Sequence, residues 1–318
     1  MSSAQSNGKS DEKRKHKSKF REWTDAVVFA LVVMLIVRTL IFDLFRIPTP
    51  SMEKNLLVGD YLFVSKLHYG TRTPLTIGIP FTQVYLKGVH LPHTRFPGFT
   101  EVKRGDAIVF NFPPEGKPVD RKMHYIKRVV GLPGEDLRVK DKVVHVDDQA
   151  IPLREGMQQY WNVFKRDPRV ALSGATLRDL GVSDLQTTSN PSIVRVLATR
   201  EAIDEIESWP WVERIEPYVA PENVGYSSLM YPPERGYTPD NFGPIHIPGK
   251  GETLTLSQDN WPLYETVITR YEGHTARMRE DGSFEIDGQA ADTYTFSQDY
   301  YFVMGDNRDN SEDSRFWG

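Results

Sequence analysis

The N-terminal part of the chain contains one long apolar run. Residues 26–37 are apolar without a break, and apolar positions resume after Arg38 and Thr39. About 20 such residues are enough to cross a bilayer as a helix. The pattern predicts a transmembrane anchor over residues 23–45. A helix buried in a protein core is the alternative, because Arg38 and Asp43 shorten the purely apolar stretch.

The flanks of this run indicate its orientation. The segment ahead of it, "KRKHKSKFR", is strongly basic, and Trp23 stands where an interfacial aromatic residue is expected. By the positive-inside rule, residues 1–22 form a basic cytoplasmic tail and the chain after Phe45 lies on the other side of the membrane. A cleaved leader is disfavoured, because "RTLIFDLFRIP" contains no pair of small residues two apart. We therefore expect an uncleaved, single-pass anchor in the cytoplasmic (inner) membrane.

Beyond the anchor, short β-like runs predict strands. They include "DYLFVSKL", "DAIVFNF", "HYIKRVVGL" and "KVVHVDD", separated by Gly and Pro. "REDGSFEIDGQAADTYTF" predicts two strands around Asp287-Gly288, a hairpin turn sequence. The predicted fold is mainly β, an antiparallel domain in two parts, residues 46–152 and 262–318. Its loop at residues 67–102 is rich in proline and is expected to be irregular.

Residues 153–261 interrupt the strand pattern. "GATLRDLGVS" and "TREAIDEIESWPWVERI" read as helices among loops. We predict an inserted variable region of mixed α/β character, and its residue types indicate no chemistry.

Composition removes several classes of function. The net charge of -4 gives no reason to expect a nucleic acid partner. The absence of cysteine excludes thiol nucleophiles, disulfides and Cys-based metal sites. The motifs G-x-S-x-G and H-E-x-x-H are missing, and the histidines are scattered without ligand-like spacing. A Ser-His-Asp triad stays open, because its members need no local spacing.

Three stretches carry candidate chemistry. In "IPTPSM", prolines on either side of Thr49 stiffen the backbone that holds Ser51. In "HYIKRVVGLPGEDL", strand alternation turns either Lys127 or Arg128 inward, and burial would lower the pKa of a lysine until it is a usable base. "YYFVMGDNRDNSEDSRFWG" is a dense polar loop, but it lacks the Gly and Glu that an EF-hand needs when counted from Asp306.

Together these stretches resemble bacterial type I signal peptidase, or leader peptidase, a family of membrane-anchored serine proteases with a Ser-Lys dyad. The resemblance rests on the anchor and on "IPTPSM", "LLVGDYLFVSKLHYG", "RGDAIVF", "HYIKRVVGLPGE" and "GDNRDNSEDSRFWG". It implies an endopeptidase that removes N-terminal signal peptides from exported preproteins, without metal or cofactor. The implied partners are signal peptides, the lipid bilayer and, by proximity, the protein-export machinery.

The resemblance also implies roles for individual residues. Ser51 matches the nucleophile and Lys127 the general base, while the Thr49 hydroxyl and the Ser51 backbone N–H match the oxyanion hole. Ser311 matches a serine that hydrogen-bonds and orients the lysine. The other implied residues are the second-shell group Asp306, Asp313 and Arg315, of which the last two match an ion pair, and the substrate-binding group Phe45, Ile47, Met52, Tyr125 and Ile126.

The sequence departs from the family pattern at three places. Glu53-Lys54-Asn55 replaces a usual Pro-Thr pair and is expected to shift the next strand start. The loop at 67–102 and the insertion at 153–261 are long for the family core. The chain ends at Gly318, where family members continue with another strand, so we expect truncation there.

Two rival functions share parts of this pattern. A non-catalytic, membrane-tethered subunit that captures signal peptides would lack the serine or the lysine, and both are present. A self-cleaving repressor with the same dyad would lack the N-terminal anchor.

Overall fold

The computed structural model of the chain describes residues 18–73, 86, 94–221, 225–226 and 228–318. Part of the predicted tail, residues 1–17, and part of the predicted loop, residues 74–85 and 87–93, lie outside the described residues. The chain divides into two compact units, Met1–Asp43 with Ser65–Phe99 and Leu44–Val64 with Thr100–Gly318.

The structure is mainly β. The helices are α1 (Lys19–Leu40), α2 (Gly174–Asp179), α3 (Arg200–Glu207), α4 (Trp261–Thr266) and α5 (Ser314–Trp317). The first nine strands are β1 (Phe42–Arg46), β2 (Tyr61–Ser65), β3 (Ala107–Asn111), β4 (His124–Gly131), β5 (Asp136–Lys140), β6 (Val143–Val146), β7 (Gln149–Ile151), β8 (Gln158–Lys165) and β9 (Asp184–Thr187). The others are β10 (Ile193–Thr199), β11 (Val212–Pro217), β12 (Phe242–His246), β13 (Thr253–Thr255), β14 (Ala276–Met278), β15 (Phe284–Ile286), β16 (Gln289–Ala290), β17 (Thr293–Thr295) and β18 (Phe302–Met304).

The long helix of the first unit is α1. In the described part of the chain it is the one helix that is long and apolar enough to cross a membrane. It begins where the Ser18 hydroxyl accepts a hydrogen bond from the Arg21 N–H, which is an N-cap. It ends at Leu40, while the sequence placed the end of the anchor at residue 45. Beyond it, Asp43 pairs with Arg38 at 3.0 Å and with Lys66 at 3.3 Å.

The sheet that holds the candidate chemistry in the second unit has the antiparallel order β18-β4-β3. Its register places Lys127 of β4 opposite Ile108 of β3, and Arg128 opposite Met304 of β18. Aromatic rings pack beside it, with Tyr125 stacked on Phe112 at 4.3 Å and the Trp317 ring edge-on to both. The sheet therefore joins the "HYIKRVVG" motif to the strand that leads into the C-terminal polar loop.

The other sheets of this unit include β12-β5-β6-β7 and β14-β15-β16. Tight turns connect several neighbouring strands within them. The hairpin predicted at Asp287-Gly288 is confirmed, because Ile286 pairs with Gln289 and both turn residues have positive φ. Positive φ at two successive positions is the requirement of a type I′ turn. The same device recurs at Asp141-Lys142, between β5 and β6.

Within the predicted inserted region, four strands between residues 158 and 217 form an antiparallel sheet, the inserted sheet, in the order β11-β8-β10-β9. β12 and β13 lie in the same predicted region but pair with β5 and β17 outside it. The sequence located the helices of this region but not the inserted sheet, and the prediction of helix through "WPWVERI" is wrong, because α3 ends at Glu207 and β11 follows. Pro210 explains the break, since proline cannot continue a helix. One face of the sheet packs against α2 and α3 through the buried residues Trp161, Val163, Leu177, Val196, Ala198, Ile203 and Ile206.

Candidate active site

The candidate nucleophile lies on a single turn of 3₁₀-helix, Pro50–Met52. Pro50 occupies the first turn and Thr49 before it is extended, as the fixed φ of proline favours. Ser51 and Met52 are both buried. The serine is therefore held by local backbone geometry and by packing beneath the turn.

Lys127 meets Ser51 from β4. Its Nζ lies 2.7 Å from Ser51 Oγ, within hydrogen-bonding distance, although the two residues are 76 positions apart. The ammonium also donates to the carbonyl oxygen of Ile126 at 3.1 Å. Lys127 is only 3% exposed. Of the two adjacent basic residues on β4, it is the lysine that reaches the serine.

Burial lowers the pKa of the Lys127 ammonium below its usual 10.5. The charged form loses hydration in the protein interior, and the neutral amine does not. The carboxylates of Asp313, Glu312 and Asp306 act in the opposite direction, but their effect is smaller. Burial therefore shifts the Lys127 equilibrium towards the neutral amine, the form that a general base next to a serine hydroxyl requires.

The C-terminal polar loop hydrogen-bonds to the backbone of the turn that holds Ser51. The Asn307 N–H donates to the Ser51 carbonyl oxygen at 3.1 Å, and Asn307 Nδ2 donates to the Pro50 carbonyl oxygen at 3.2 Å. Gly305 packs against the same carbonyl oxygen of Ser51 so closely that a Cβ would sit 2.5 Å from it. The loop and the nucleophile turn are thus one packed structure.

Asp306 is completely buried and binds two elements at once. Arg128 donates to both of its carboxylate oxygens, at 2.7 and 2.5 Å, and Asn55 Nδ2 donates to Oδ2 at 2.8 Å. A bidentate arginine–carboxylate pair fixes orientation as well as distance. Because Arg128 follows Lys127 on β4, this pair ties the strand that carries the lysine to the polar loop.

Asp313 and Arg315 form a second buried pair in the loop. Arg315 Nε and Nη2 donate to the two Asp313 oxygens at 2.8 and 2.9 Å. The Gly305 N–H donates to Asp313 at 3.1 Å, and Arg315 Nη2 also donates to the Arg308 carbonyl oxygen at 2.7 Å. The ion pair therefore holds both ends of the loop that contacts Ser51.

Ser311 does not make the hydrogen bond to Lys127 that the resemblance implies. Its hydroxyl is buried and has no hydrogen-bond partner among the described residues. Its Oγ lies beside Gly305, since a Cβ added there would come within 2.3 Å of it. A role for Ser311 in orienting the lysine stays a prediction.

The implied substrate-binding residues separate into two kinds. Ile47 and Met52 are buried, so they shape the nucleophile turn from below. Phe45, Tyr125 and Ile126 are half-buried and keep surface that a substrate can contact. In the described residues, no three His, Asp or Glu side chains are grouped as a metal site.

Sequence reasoning missed three residues of the site, namely Asn55, Arg128 and Asn307. Arg128 was considered only as the alternative to Lys127, and Asn55 only as part of a departure from the family pattern. A buried Asp306 needs a cationic partner, but the sequence does not show which cation lies near it. The relevant separations are 178 residues for Arg128 and 251 for Asn55.

The family model for signal peptidase, peptidase S26, matches residues 20–193 and 246–318, well over half of the chain. The chain belongs to this family. This membership makes it a serine-type peptidase, and the matched segments contain every residue of the site described above.

Individual relatives agree with the family match. The chain is 25% identical over 309 residues to a protein named signal peptidase I from Buchnera aphidicola subsp. Acyrthosiphon pisum (strain APS), covering 96% of this chain and 73% of that protein. It is 32% identical over 140 residues to signal peptidase I of Rickettsia massiliae (strain Mtu5), covering 44% of this chain and 47% of the relative. A similar match to signal peptidase I of Rickettsia prowazekii (strain Madrid E) is 33% identical over 127 residues and covers 40% and 43%. The matches to the two Rickettsia proteins thus span less than half of those relatives.

The lowered pKa of Lys127 predicts the pH dependence of this S26 peptidase. We expect kcat/KM to rise with pH through a midpoint below 10.5, because only the neutral amine can accept the serine proton. A pH–rate profile with a peptide that has no ionisable side chains measures this midpoint. Lys122→Met is the matched control, since burial also lowers the pKa of Lys122 but it lies outside the dyad. A midpoint at or above 10.5, or one that moves in the control, contradicts the assignment.

The close packing of Gly305 predicts a steric effect on the same reaction. In Gly305→Ala the new Cβ would lie 2.3 Å from Ser311 Oγ and 2.5 Å from the Ser51 carbonyl oxygen, so the serine turn must shift. A displacement of about 1 Å at a catalytic group lowers the rate by roughly 100-fold. Gly249→Ala is the control, because its nearest contacts would be an ordinary 3.6 Å. Parent-like kcat/KM in Gly305→Ala is the result that would refute this packing argument.

Proposed function

We propose that this chain is a membrane-anchored serine endopeptidase that removes N-terminal signal peptides from exported preproteins, with Ser51 as nucleophile and Lys127 as general base. The observation that carries the proposal is the 2.7 Å approach of Lys127 Nζ to Ser51 Oγ, both on buried residues. The family and the relatives named signal peptidase I support the same activity.

The proposed chemistry is acyl transfer through an ester on Ser51. The neutral Lys127 amine accepts the proton of the Ser51 hydroxyl as Oγ attacks the scissile carbonyl carbon. The resulting ammonium donates that proton to the departing amine nitrogen, and the C–N bond breaks. Water then attacks the ester carbonyl carbon while the Lys127 amine accepts a proton from the water. The ester C–O bond breaks, the ammonium returns the proton to Ser51 Oγ, and the acyl part leaves as a carboxylic acid.

The oxyanion of the tetrahedral intermediate needs donors, and we assign the Thr49 hydroxyl and the Ser51 backbone N–H. The Thr49 Oγ1 atom lies 3.5 Å from Ser51 Oγ, the atom proposed to attack the scissile carbonyl. Thr49 is also exposed, so its hydroxyl is accessible to a bound substrate.

Replacing Thr49 with valine is expected to lower kcat by about 100-fold or more, because one oxyanion donor is lost while the side-chain shape is kept. Thr49→Ser should recover most of the rate. Steady-state kinetics separates kcat from KM and checks this. A fall confined to KM would instead assign Thr49 to substrate binding.

The half-buried group Phe45, Tyr125 and Ile126 is proposed to contact the residues that precede the scissile bond. Shallow apolar sites accept a methyl group and exclude larger side chains by steric overlap. We therefore expect preference for alanine at these substrate positions.

We propose that α1 anchors the enzyme in the cytoplasmic membrane, with the N-terminus in the cytoplasm and Ser51 on the extracytoplasmic or periplasmic side. The chain from the helix end at Leu40 to Ser51 can extend by at most about 40 Å. The anchor therefore keeps the nucleophile near the membrane surface, where the export machinery releases preproteins.

The proposed orientation can be tested by labelling introduced cysteines. The chain has no cysteine of its own, so single cysteines introduced at residue 5 and at Arg138, which is 46% exposed, can be labelled selectively. An impermeant maleimide should label only the second in intact cells with a permeable outer layer.

The decisive experiment for the function is cleavage of a preprotein with an Ala-x-Ala site by the full chain in detergent. Mass spectrometry should find one cut, after the second alanine. A matched preprotein with tryptophan at that alanine should remain intact. A folded parent chain that binds the preprotein without cutting it would favour the non-catalytic capture function, and cutting elsewhere would refute the proposed specificity.

A further inference from the structure

A cavity of about 250 Å³ lies between the C-terminal polar loop and the sheet of the inserted region. Arg308, Asp309 and Ser311 line it from the loop, and Tyr160 and Arg195 line it from β8 and β10. A water molecule takes up about 30 Å³ of liquid volume, so the space holds several non-hydrogen atoms. The dyad lies outside this cavity, since neither Ser51 nor Lys127 lines it.

Among the residues that the structure describes, Arg308 has no carboxylate within ion-pair distance. Its Nη1 and Nη2 atoms donate to the thioether sulfurs of Met304 and Met157 at 3.7 and 3.3 Å, and its buried Nε has no hydrogen-bond partner among the described residues. Thioether sulfur is a weak acceptor. The neighbouring Arg128 and Arg315 each hold an aspartate by two hydrogen bonds. Buried charges are normally paired, so Arg308 is the exception in this loop.

A second cation reaches the cavity from the inserted sheet. The Arg195 guanidinium lies 3.2 Å from the centre of the Tyr218 ring, and its Nε donates to Asn162 at 3.4 Å. This stacking fixes the guanidinium plane and leaves its terminal nitrogens for other acceptors. Arg195 and Arg308 thus approach the same space from two different elements.

The carboxylates that line the cavity already have donors. Asp240 pairs with Lys142 at 3.0 Å and accepts a hydrogen bond from the Ala220 N–H at 2.8 Å. Asp309 also pairs with Lys142, and it accepts a hydrogen bond from the Tyr160 N–H at 2.6 Å. Among the described residues, Lys142 is thus shared by the two carboxylates that line the cavity, and neither carboxylate is hydrogen-bonded to Arg195 or Arg308.

We propose that this cavity binds a small oxyanion of the size of phosphate, with Arg308 and Arg195 as its main ligands. The planar guanidinium fork is suited to two parallel hydrogen bonds with an oxyanion. Ser311 also lines the cavity and has an unpaired hydroxyl that can donate. A bound anion would therefore contact the same loop that hydrogen-bonds to the Ser51 turn.

Binding of inorganic phosphate to the full chain in detergent tests the proposal, by equilibrium dialysis at constant ionic strength set with sodium chloride. We expect one phosphate per chain with a Kd below about 1 mM. Arg308→Gln and Arg195→Gln should each weaken binding by at least about tenfold, since each removes a charge-assisted ligand. Arg169→Gln is the matched control, because that arginine is 88% exposed on the same inserted region.

The two cavity variants protect the test against a folding artefact. If Arg308→Gln does not fold, Arg195→Gln still reports on the site from the other side. Ser51→Ala should bind phosphate as the parent does, so a failure of the peptidase assignment leaves this result unaffected. Absence of saturable phosphate binding by the parent, or equal binding by the parent and a folded cavity variant, would overturn the proposal and leave a water-filled cavity.

Discussion

Ser51→Ala and Lys127→Met are each expected to lower kcat for signal-peptide cleavage by about 10⁴-fold or more. Each change removes one half of a unit in which the amine takes the proton of the attacking hydroxyl. The effects of mutating residues that act as a unit are not additive, so kcat of the double variant should be no lower than that of the slower single variant. Methionine is unbranched, only one heavy atom shorter than lysine, and suits a buried position, so the Lys127→Met protein should fold.

Single-turnover cleavage of an Ala-x-Ala preprotein measures both losses, and thermal unfolding shows that the variants are folded. Lys122→Met is the matched control, because it removes a partly buried lysine from the segment just ahead of β4. Cleavage that survives Lys127→Met but not Ser51→Ala would indicate another base, as in a Ser-His-Asp triad. Survival in Ser51→Ala would refute the nucleophile.

The largest expected effect on stability comes from Arg315→Met. The variant leaves the Asp313 carboxylate buried, with 0% exposure, and without its bidentate partner. Breaking a buried ion pair in this way typically lowers the free energy of unfolding by about 3–5 kcal/mol. Asp313 also accepts a hydrogen bond from the Gly305 N–H, so the variant should increase the mobility of the loop that contacts Ser51. Activity should therefore fall at temperatures well below global unfolding.

The chain contains a close control for this change. Asp167 and Arg169 have the same Asp-x-Arg spacing, and Arg169 Nε and Nη2 donate to the two Asp167 oxygens at 3.0 and 2.8 Å. Their side chains are 42% and 88% exposed. An exposed pair contributes about 0–1 kcal/mol, so Arg169→Met should change the urea midpoint little. Equal midpoint shifts in the two variants would show that burial of the Asp313 pair is not the source of its effect.

Local patterns were sufficient wherever the physical cause acts over a few residues. The apolar run of α1, the strand alternation of β4 and the turn at Asp287-Gly288 all depend on neighbouring residues and backbone preference. The same holds for the stiff turn at Ser51. The inserted sheet was harder, because β8 alternates Trp161 and Val163 with Tyr160 and Phe164. Apolar or aromatic side chains then occur on both faces, and the period of two is weak.

Four features follow from the sequence alone: the apolar helix α1, the mainly β character, the family resemblance, and the choice of Ser51 and Lys127 as the residues to examine. Only the tertiary structure decided which groups meet. Strand register and loop packing bring Lys127 to Ser51 across 76 residues and Arg128 to Asp306 across 178. They also place the Arg308 guanidinium against two methionine sulfurs, whereas Arg128 and Arg315 each pair with an aspartate. Charge pairing depends on distances across the folded core, and one-dimensional spacing along a chain does not contain those distances.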